Sequence, residues 1–200
     1  MVVVSRYSAG GDEADIFKNK LGITDLKELQ DAETVLLTDA YDHYLELFES
    51  GKLMIKFDLL FELHEYFLGK LYTWAGKIRT VNISKNDAVF ASAKHLENAL
   101  KIFKSDFEKN KPYLGDSKQD LARKLAFIHC ELNVIHPFRE GNGRTLRLFL
   151  DLLAVDAGYN IMDFAEVSHE KYIDACQKGM IQDYVAMEKI YFKLLHKTIK

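Results

Sequence analysis

Cysteine and proline are both scarce in this chain, and each scarcity excludes a class of protein. The 200 residues contain only two cysteines, Cys130 and Cys176, with no CxxC pair. They are too few and too widely spaced for a disulfide framework or a zinc cluster, so a reduced, cytoplasmic environment is expected. The two prolines, Pro112 and Pro137, leave long stretches that can form uninterrupted helices.

Long apolar runs and a strong net charge are also missing. No uninterrupted apolar stretch approaches the roughly 18 residues of a membrane span, and the apolar run at the start is too short for a signal peptide. The 27 basic and 30 acidic residues nearly balance, giving a formal net charge of −3. We therefore expect no membrane and no nucleic-acid partner, and any phosphate site has to be local.

What the chain does contain is helical periodicity. Apolar residues recur at spacings of three and four, and 48% of the residues are hydrophobic, which predicts a mainly α, single domain over residues 1–200. Gly76 is expected to end the second helix, and Gly179 to separate the last two. The predicted helices span residues 25–48, 57–75, 95–109, 117–135 and 144–155, with two more between 168 and 200.

One segment breaks this periodicity. β-Branched and aromatic residues dominate residues 78–84 and 88–91, on either side of a turn-forming Lys-Asn-Asp sequence. The pattern predicts a small β-hairpin near residues 78–91. Because a lone hairpin is marginal in water, it either decorates the helices or pairs with an incoming strand, and the pattern alone leaves both open.

The most unusual stretch lies between two strongly apolar helices, at residues 136–147, with the sequence HPFREGNGRTLR. The Gly141–Gly143 segment immediately precedes a helix, so its backbone N–H groups form an anion site at the positive end of that helix. Arg144 and Arg147 are three residues apart and can project from the same side. Paired arginines suit a polyphosphate, because each guanidinium binds phosphate oxygens through charged hydrogen bonds.

Two other residues of this stretch indicate what the anion site is for. Glu140 would repel a phosphate unless a cation lay between them, and Mg²⁺ is commonly held by one or two carboxylates plus substrate phosphates. His136 precedes Pro137, which favours an extended backbone, and an imidazole can take a proton from a hydroxyl at neutral pH. Phe138 would then face the other way and anchor the loop in the core.

Each of these residues also has an ordinary structural explanation. His136 could be a satisfied polar group at a helix end, Glu140 a solvated carboxylate, and the arginines could pair with Asp151 or Asp156. Their coincidence within twelve residues favours a catalytic site. The stretch does not have the sequence of a Walker loop or of a dinucleotide fingerprint.

Two more histidines are predicted to be structural. His129 lies beside Cys130 in an apolar helix, and the spacing of these residues to His136 matches no familiar zinc pattern. His64 also lies in an apolar helical stretch, and a core role is expected for it.

Residues 136–147 match without departure the Fic (filamentation induced by cAMP) motif, HPFx(D/E)GNGRxxR, and the chain resembles that family. Residues 71–79, LYTWAGKIR, are similar to the segment that leads into the family's target-binding hairpin, the flap. The layout from about residue 13 to 195 resembles the compact bacterial members. The resemblance implies a Fic-type helical bundle that uses ATP and Mg²⁺. A Tyr, Thr or Ser hydroxyl of a target protein would attack the α-phosphate, releasing pyrophosphate.

The resemblance also implies a role for each motif position. His136 corresponds to the general base, and Glu140 to the acid that binds Mg²⁺. The residues implied to bind the nucleotide are Gly141, Asn142 and Gly143 as an anion hole, with Arg144 and Arg147 on the β- and γ-phosphates.

Outside the motif, the resemblance implies a docking site. Val81, Asn82 and Ile83 of the flap would dock the target backbone by strand addition, which leaves little side-chain signature of the target. Tyr184 is the candidate for the adenine pocket.

Regulation is the one point where the chain departs from a common pattern. Fic proteins are often restrained by an inhibitory helix with the pattern (S/T)xxxE(G/N), whose Glu engages the second motif arginine, here Arg147. The nearest match is TDLKE at residues 24–28, but Leu29 follows where Gly or Asn is expected. The chain therefore resembles the class whose inhibitory Glu comes from a separate small antitoxin protein, as in a toxin–antitoxin pair.

Three other functions are open. The first is a Fic-like transfer of UMP, phosphocholine or a phosphoryl group, although the paired arginines favour a triphosphate. The second is a catalytically idle nucleotide-binding or interaction module, against which the intact His136 and Glu140 argue. The third is removal of AMP from a modified protein, for which an inhibitory Glu is usually retained.

Overall fold

The computed structural model describes residues 16–85 and 88–198, which are mainly helical. Two short strands, β1 (Ser84–Lys85) and β2 (Ala88–Val89), lie between the second and third helices. The seven helices of this described part are α1 (Leu26–Glu49), α2 (Leu59–Leu68), α3 (Leu96–Asn110), α4 (Lys118–Ile135), α5 (Asn142–Asp156), α6 (His169–Gly179) and α7 (Val185–Leu194).

Short polar side chains define where three of the helices begin. Asp25 accepts a hydrogen bond from a backbone N–H in the first turn of α1, Ser117 does so for α4, and Ser168 for α6. Each cap satisfies one of the amides that a helix leaves without an intrahelical partner. The predicted bounds of α1, α3 and α4 agree with the observed ones to within one residue at each end.

Two helices organise the bundle. α4 packs against α3, α5, α6 and α7, whereas α5 packs against α1, α2 and α4. Phe67 of α2, Phe107 of α3 and Phe149 of α5 are fully buried. α5 is buried on most of its faces, as its apolar sequence predicted. In the described residues, no helix is long and apolar enough to cross a bilayer.

The predicted second helix is too long. α2 ends at Leu68, with Gly69 as its cap, rather than near residue 75. The Leu71 and Tyr72 amides instead bond to the Leu68 carbonyl in turns, and both side chains are buried from there. Apolar spacing continued past the helix because these turns also face the core. Gly76 has a φ of 71°, yet it closes a later turn and not α2.

The hairpin is also shorter than predicted. Only Ser84 pairs with Val89 and Lys85 with Ala88, while Asn86 and Asp87 of the turn lie outside the described residues. The segment before β1 pairs with a different part of the protein, since the Arg79 N–H donates to the Pro137 carbonyl at 2.8 Å. The β-forming residues from position 78 therefore run towards the loop after α4 instead of extending the hairpin.

Gly179 at the end of α6 provides a test of the packing between α6 and α4. A Cβ atom added there would lie 2.4 Å from the Cys130 sulfur, so Gly179→Ala is expected to destabilise the fold by about 1–3 kcal/mol in urea denaturation. In a Cys130→Ala background the same substitution is expected to cost less, because the contact with the sulfur is removed and only the one with the residue 130 Cβ, at 2.9 Å, is left. An equal cost in both backgrounds would contradict this account.

Candidate active site

The loop of interest joins α4 to α5, and it starts with an unusual backbone. His136 has φ 49° and ψ 64°, so the extended conformation predicted for a residue before proline is wrong. A following proline disfavours the right-handed helical region, and here the chain uses the left-handed one. The conformation is held at both ends of the residue, since its N–H donates to Leu132 and its carbonyl accepts from the Arg79 side chain.

The His136 ring has a fixed position and a defined tautomer. It stacks on Phe90, with ring centroids 3.8 Å apart, and only 2% of the residue is exposed. Its Nδ1 lies 3.0 Å from the Asn133 carbonyl oxygen, which can only accept. Nδ1 must therefore carry the proton, and a neutral ring then has its lone pair on Nε2. This is the form that a general base requires.

The remainder of the loop is closed by its own side chains. The Asn142 amide accepts from the Phe138 N–H at 2.8 Å and donates to the Phe138 carbonyl at 2.7 Å. Gly141 has a φ of 79°, and a Cβ there would lie 2.7 Å from a Leu68 methyl carbon. Phe138 is 1% exposed, so the prediction that it anchors the loop is confirmed.

His64 of α2 holds this loop against the bundle, a role that the sequence pattern did not reveal. Its ring stacks on Phe138 at 3.8 Å. Its Nδ1 accepts from the Gly76 N–H at 2.8 Å, so Nε2 carries the proton and donates to the Glu140 carbonyl at 2.9 Å. Burial lowers the pKa of His64 to about 4, which keeps the ring neutral. Its partners lie too far away in sequence to be read from periodicity.

Arg79 similarly fixes the start of the predicted flap. Its guanidinium donates to the carbonyls of Val81 and Ala91, on either side of the hairpin, as well as to that of His136. Asn82 accepts from the Ala93 N–H at 2.8 Å. Val81 and Asn82 are exposed.

Ile83, the third predicted docking residue, is buried. The structure therefore presents the side chains of Val81 and Asn82 to solvent, and not that of Ile83.

The start of α5 has the expected features of an anion site. The first intrahelical bond runs from the Thr145 N–H to the Gly141 carbonyl at 2.9 Å, so the amides of Asn142, Gly143 and Arg144 precede it. A Cβ added at Gly143 would meet only the Arg147 side chain, at 4.0 Å. A ligand can therefore approach the main chain here.

Arg147 is a half-buried cation beside these amides. It lies over the rings of Phe164 and Tyr172, at 5.8 Å from each, and its Nε donates to the Gly143 carbonyl. Within residues 16–85 and 88–198, no carboxylate lies within ion-pair distance of it. Asp151 instead accepts from the Tyr41 hydroxyl and the Met162 amide. Arg147 is thus available to a bound anion.

Arg144 lies in a different environment. It is 6% exposed, donates to Glu33 of α1 at 2.8 Å and to Glu140 at 3.3 Å, and lies over the Phe67 ring. The spacing predicted that Arg144 and Arg147 would stand over one anion; in the structure Arg144 pairs with two carboxylates, and Arg147 pairs with none among the described residues. Two buried carboxylates need a counter-charge, and Arg144 supplies it.

The donor set around Glu140 suits one kind of metal site. With both carboxylates ionised, the buried group of Glu33, Arg144 and Glu140 carries one more negative charge than positive, which favours a nearby cation. Among the residues described, no group of three or more His, Cys, Asp or Glu side chains could hold a metal. A single protein carboxylate is enough for Mg²⁺ when phosphates and water supply its other ligands. It is not enough for a metal site in which every ligand comes from the protein.

Tyr184 is not brought to the loop. Its hydroxyl donates to Glu131, and its ring meets the edge of Phe127 at 5.9 Å, on the wall of a cavity of about 450 Å³. Residues 136–147, all within the described part of the chain, do not line that cavity. They contribute instead to a narrow cleft that includes His136, Gly143 and Tyr172.

His129 has a structural position, as predicted. It is buried between the Tyr191 hydroxyl, at 2.6 Å from Nδ1, and the Tyr172 hydroxyl, at 3.1 Å from Nε2. Burial lowers its pKa to about 3.

A helical bundle that brings a buried histidine, a buried glutamate and a half-buried arginine to one glycine loop defines the class of this protein, and the comparisons identify the family. Residues 54–154 match the Fic/DOC family. The chain is 30% identical to the probable protein adenylyltransferase Fic of Escherichia coli over 186 residues, covering 92% of this chain and 90% of that one. The chain belongs to the Fic/DOC family.

Other relatives extend this likeness. The chain is 31% identical to the protein adenylyltransferase VbhT of Bartonella schoenbuchensis over 191 residues, which cover 94% of this chain but 38% of VbhT. A Bep effector Fic domain from Bartonella quintana, solved with bound ADP, superposes with a TM-score of 0.74 at 25% identity, over 90% of this chain and 91% of that one. BepC from Bartonella tribocorum, solved with AMPPNP, gives 0.73 at 21% identity, over 96% of both chains.

The depressed pKa of His64 makes stability depend on pH. An unfolded histidine takes up a proton near pH 6.5, whereas the folded one does so only near pH 4. The unfolded state thus binds more protons between these values, and stability is expected to fall by roughly 3 kcal/mol as pH drops through this window. Urea denaturation at several pH values measures the slope.

The pKa of His129 is also lowered, so His129 makes stability fall with pH in the same direction. Two variants are therefore needed to isolate the contribution of His64. His64→Gln should flatten the slope between pH 6.5 and 4, whereas His95→Gln, at an exposed histidine, should not. Equal slopes in both variants would contradict the assignment.

Proposed function

We propose that this chain transfers AMP from ATP to a Tyr, Thr or Ser hydroxyl of a target protein. The observation that carries the proposal is the meeting of three groups at one loop. His136 has a tautomer suited to a base, the first amides of α5 can bind an anion, and Arg147 has no carboxylate partner among the described residues. The relatives named protein adenylyltransferases support the same activity.

The chemistry assigned to the loop is one substitution at phosphorus. His136 Nε2 takes the proton of the acceptor hydroxyl, and the oxygen attacks the α-phosphorus of ATP. The bond between the α-phosphorus and the bridging oxygen breaks, and pyrophosphate leaves. The amides of Asn142 and Gly143 bind developing negative charge, and Arg147 binds the outer phosphates. The fixed His136 ring lowers the entropic cost of bringing base and hydroxyl together.

Glu140 is assigned to Mg²⁺. The ion, when bound, supplies positive charge that offsets the phosphates of the nucleotide. The support is the excess negative charge of the buried group to which Glu140 belongs. His64 holds the carbonyl of this residue and Asn142 holds that of Phe138, so the backbone position of Glu140 is defined before any ligand arrives.

Target docking is assigned to the flap near residues 81–83. Its support is the exposure of Val81 and Asn82 and the anchoring of both ends of the hairpin by Arg79. An extended target segment would add to this edge through main-chain hydrogen bonds. Such pairing would place an acceptor side chain beside His136, whose carbonyl is tied to the same arginine.

Inhibition is assigned to a separate small protein that supplies a glutamate to Arg147. The support is that no carboxylate in residues 16–85 and 88–198 pairs with this arginine. The nearest inhibitory pattern, at residues 24–28, lies at the start of α1, where the Glu28 amide is used by the Asp25 cap and the Glu28 side chain is exposed.

The first test is a labelling experiment with His136→Ala. Purified protein, Mg²⁺ and ATP labelled at the α-phosphate are incubated with cell extract, and His95→Ala serves as the control at an exposed histidine. Loss of the base is expected to lower protein labelling about 100- to 10,000-fold without loss of ATP binding, while the control is unchanged.

Two further arms identify the group transferred. ATP labelled at the γ-phosphate should give no labelling beyond that seen with His136→Ala, because that label departs with pyrophosphate. Label from this nucleotide that depends on His136 would indicate phosphoryl transfer. Label from UTP and not from ATP would indicate a different donor. ATP binding without any transferred label in wild type would favour a binding module over a transferase.

The second test separates binding of the outer phosphates from binding of the rest of the nucleotide. Arg147→Ala is expected to weaken ATP by about 10- to 100-fold, because a charged hydrogen-bond donor is lost, and to leave AMP affinity unchanged. Arg123→Ala, at an exposed arginine paired with Asp120, is the control. An equal loss for ATP and AMP would remove Arg147 from the outer phosphates.

A further inference from the structure

Glu33 is the most buried acidic residue of α1 and takes part in a network that reaches the catalytic loop. It is 2% exposed. One of its carboxylate oxygens accepts from the Tyr72 hydroxyl at 2.7 Å, and the other accepts from Arg144 at 2.8 Å. The same guanidinium contacts a Glu140 carboxylate oxygen at 3.3 Å. Arg144 therefore links Glu33, 111 residues away in sequence, to the acid of the loop.

The strengths of these contacts indicate which partner sets the position of Arg144. The contact with Glu33 is short and the one with Glu140 is long for a charged hydrogen bond. The Phe67 ring lies beneath the guanidinium, at 5.0 Å, and adds a cation–π contact that favours this position. Glu33 thus restrains Arg144 strongly, and Arg144 restrains Glu140 more weakly.

We propose that Glu33 is a positioning residue for Glu140, and that the Arg144 side chain transmits its effect. This inference rests on the proposed role of Glu140 as the Mg²⁺ acid. Glu33 lies outside the segment that matches the Fic/DOC family, residues 54–154, so the match assigns it no role.

The proposal has a direct electrostatic consequence. While Glu33 is charged, Arg144 is shared between two carboxylates, and Glu140 keeps enough negative charge to attract a cation. Without the charge on Glu33, the guanidinium pairs with Glu140 alone and neutralises it. Metal affinity then falls although no metal ligand has changed, as is usual when a residue that orients a ligand is altered.

The test measures nucleotide binding, not turnover. Glu33→Gln keeps the size of the side chain and removes its charge, leaving a balanced buried pair, Arg144 with Glu140. ATP affinity is measured by calorimetry with Mg²⁺ and with EDTA in wild type, in Glu33→Gln and in Glu46→Gln, a control at an exposed glutamate of the same helix. The factor by which Mg²⁺ strengthens ATP binding is expected to fall about tenfold in Glu33→Gln only, with the value in EDTA unchanged within about twofold.

Two more variants test the route through Arg144. Arg144→Gln removes the side chain that links the two carboxylates. The double variant Glu33→Gln/Arg144→Gln is expected to have the Mg²⁺ factor of Arg144→Gln alone, because the two residues act in series. Tyr72→Phe removes only the hydroxyl that orients Glu33. It should therefore lower the Mg²⁺ factor, as Glu33→Gln does, but by less. Tyr72→Phe also provides the test of the proposal if Glu33→Gln does not fold.

The outcomes separate this inference from the proposed function. An unchanged Mg²⁺ factor in Glu33→Gln or in Tyr72→Phe, with a normal wild-type factor, overturns the inference alone, as does a Mg²⁺ factor in the double variant that is lower than in Arg144→Gln. No Mg²⁺ effect in wild type overturns the metal role of Glu140 and the inference with it. A reduced Mg²⁺ factor in protein that fails to label any target supports the inference while the transferase assignment fails.

Discussion

The active-site loop depends on one buried cation, Arg144, placed between carboxylates of α1 and of the loop. A guanidinium that is 6% exposed has to be compensated, and only the folded bundle brings Glu33 close enough to do so. The consequence is that the site and the fold are not separable. Residues 136–147, the loop and the first turns of α5, carry the proposed chemistry, but their geometry is set by α1 and α2, which lie far away in sequence.

The loop is shaped by two left-handed residues, His136 at its start and Gly141 at its end, with φ values of 49° and 79°. For a histidine this conformation costs of order 1 kcal/mol and persists only where the surroundings enforce it. Here Arg79 holds the His136 carbonyl and His64 holds that of Glu140. The strain is therefore maintained by the bundle, and the ring of His136, the proposed base, is fixed before any ligand arrives.

Local sequence was sufficient to predict part of the fold and of the candidate site, but not the contacts between residues far apart in the chain. The helices with caps and clear apolar periodicity, and the loop with its glycines before α5, could be predicted because their signals lie within a few residues. The end of α2 could not, since Leu71 and Tyr72 continue the apolar spacing from turns. The roles of His64 and Glu33 could not either, because their partners lie 76 and 111 residues away.

The two motif arginines show why residue type alone does not assign a role. Arg144 and Arg147 lie on the same helix, three residues apart, and both would suit a phosphate. Arg144 is taken up by two carboxylates, whereas Arg147 lies over two aromatic rings with no carboxylate at ion-pair distance among the described residues. Since an anion is attracted most by a cation that is not already neutralised, Arg147 is the arginine better suited to attract one in this arrangement.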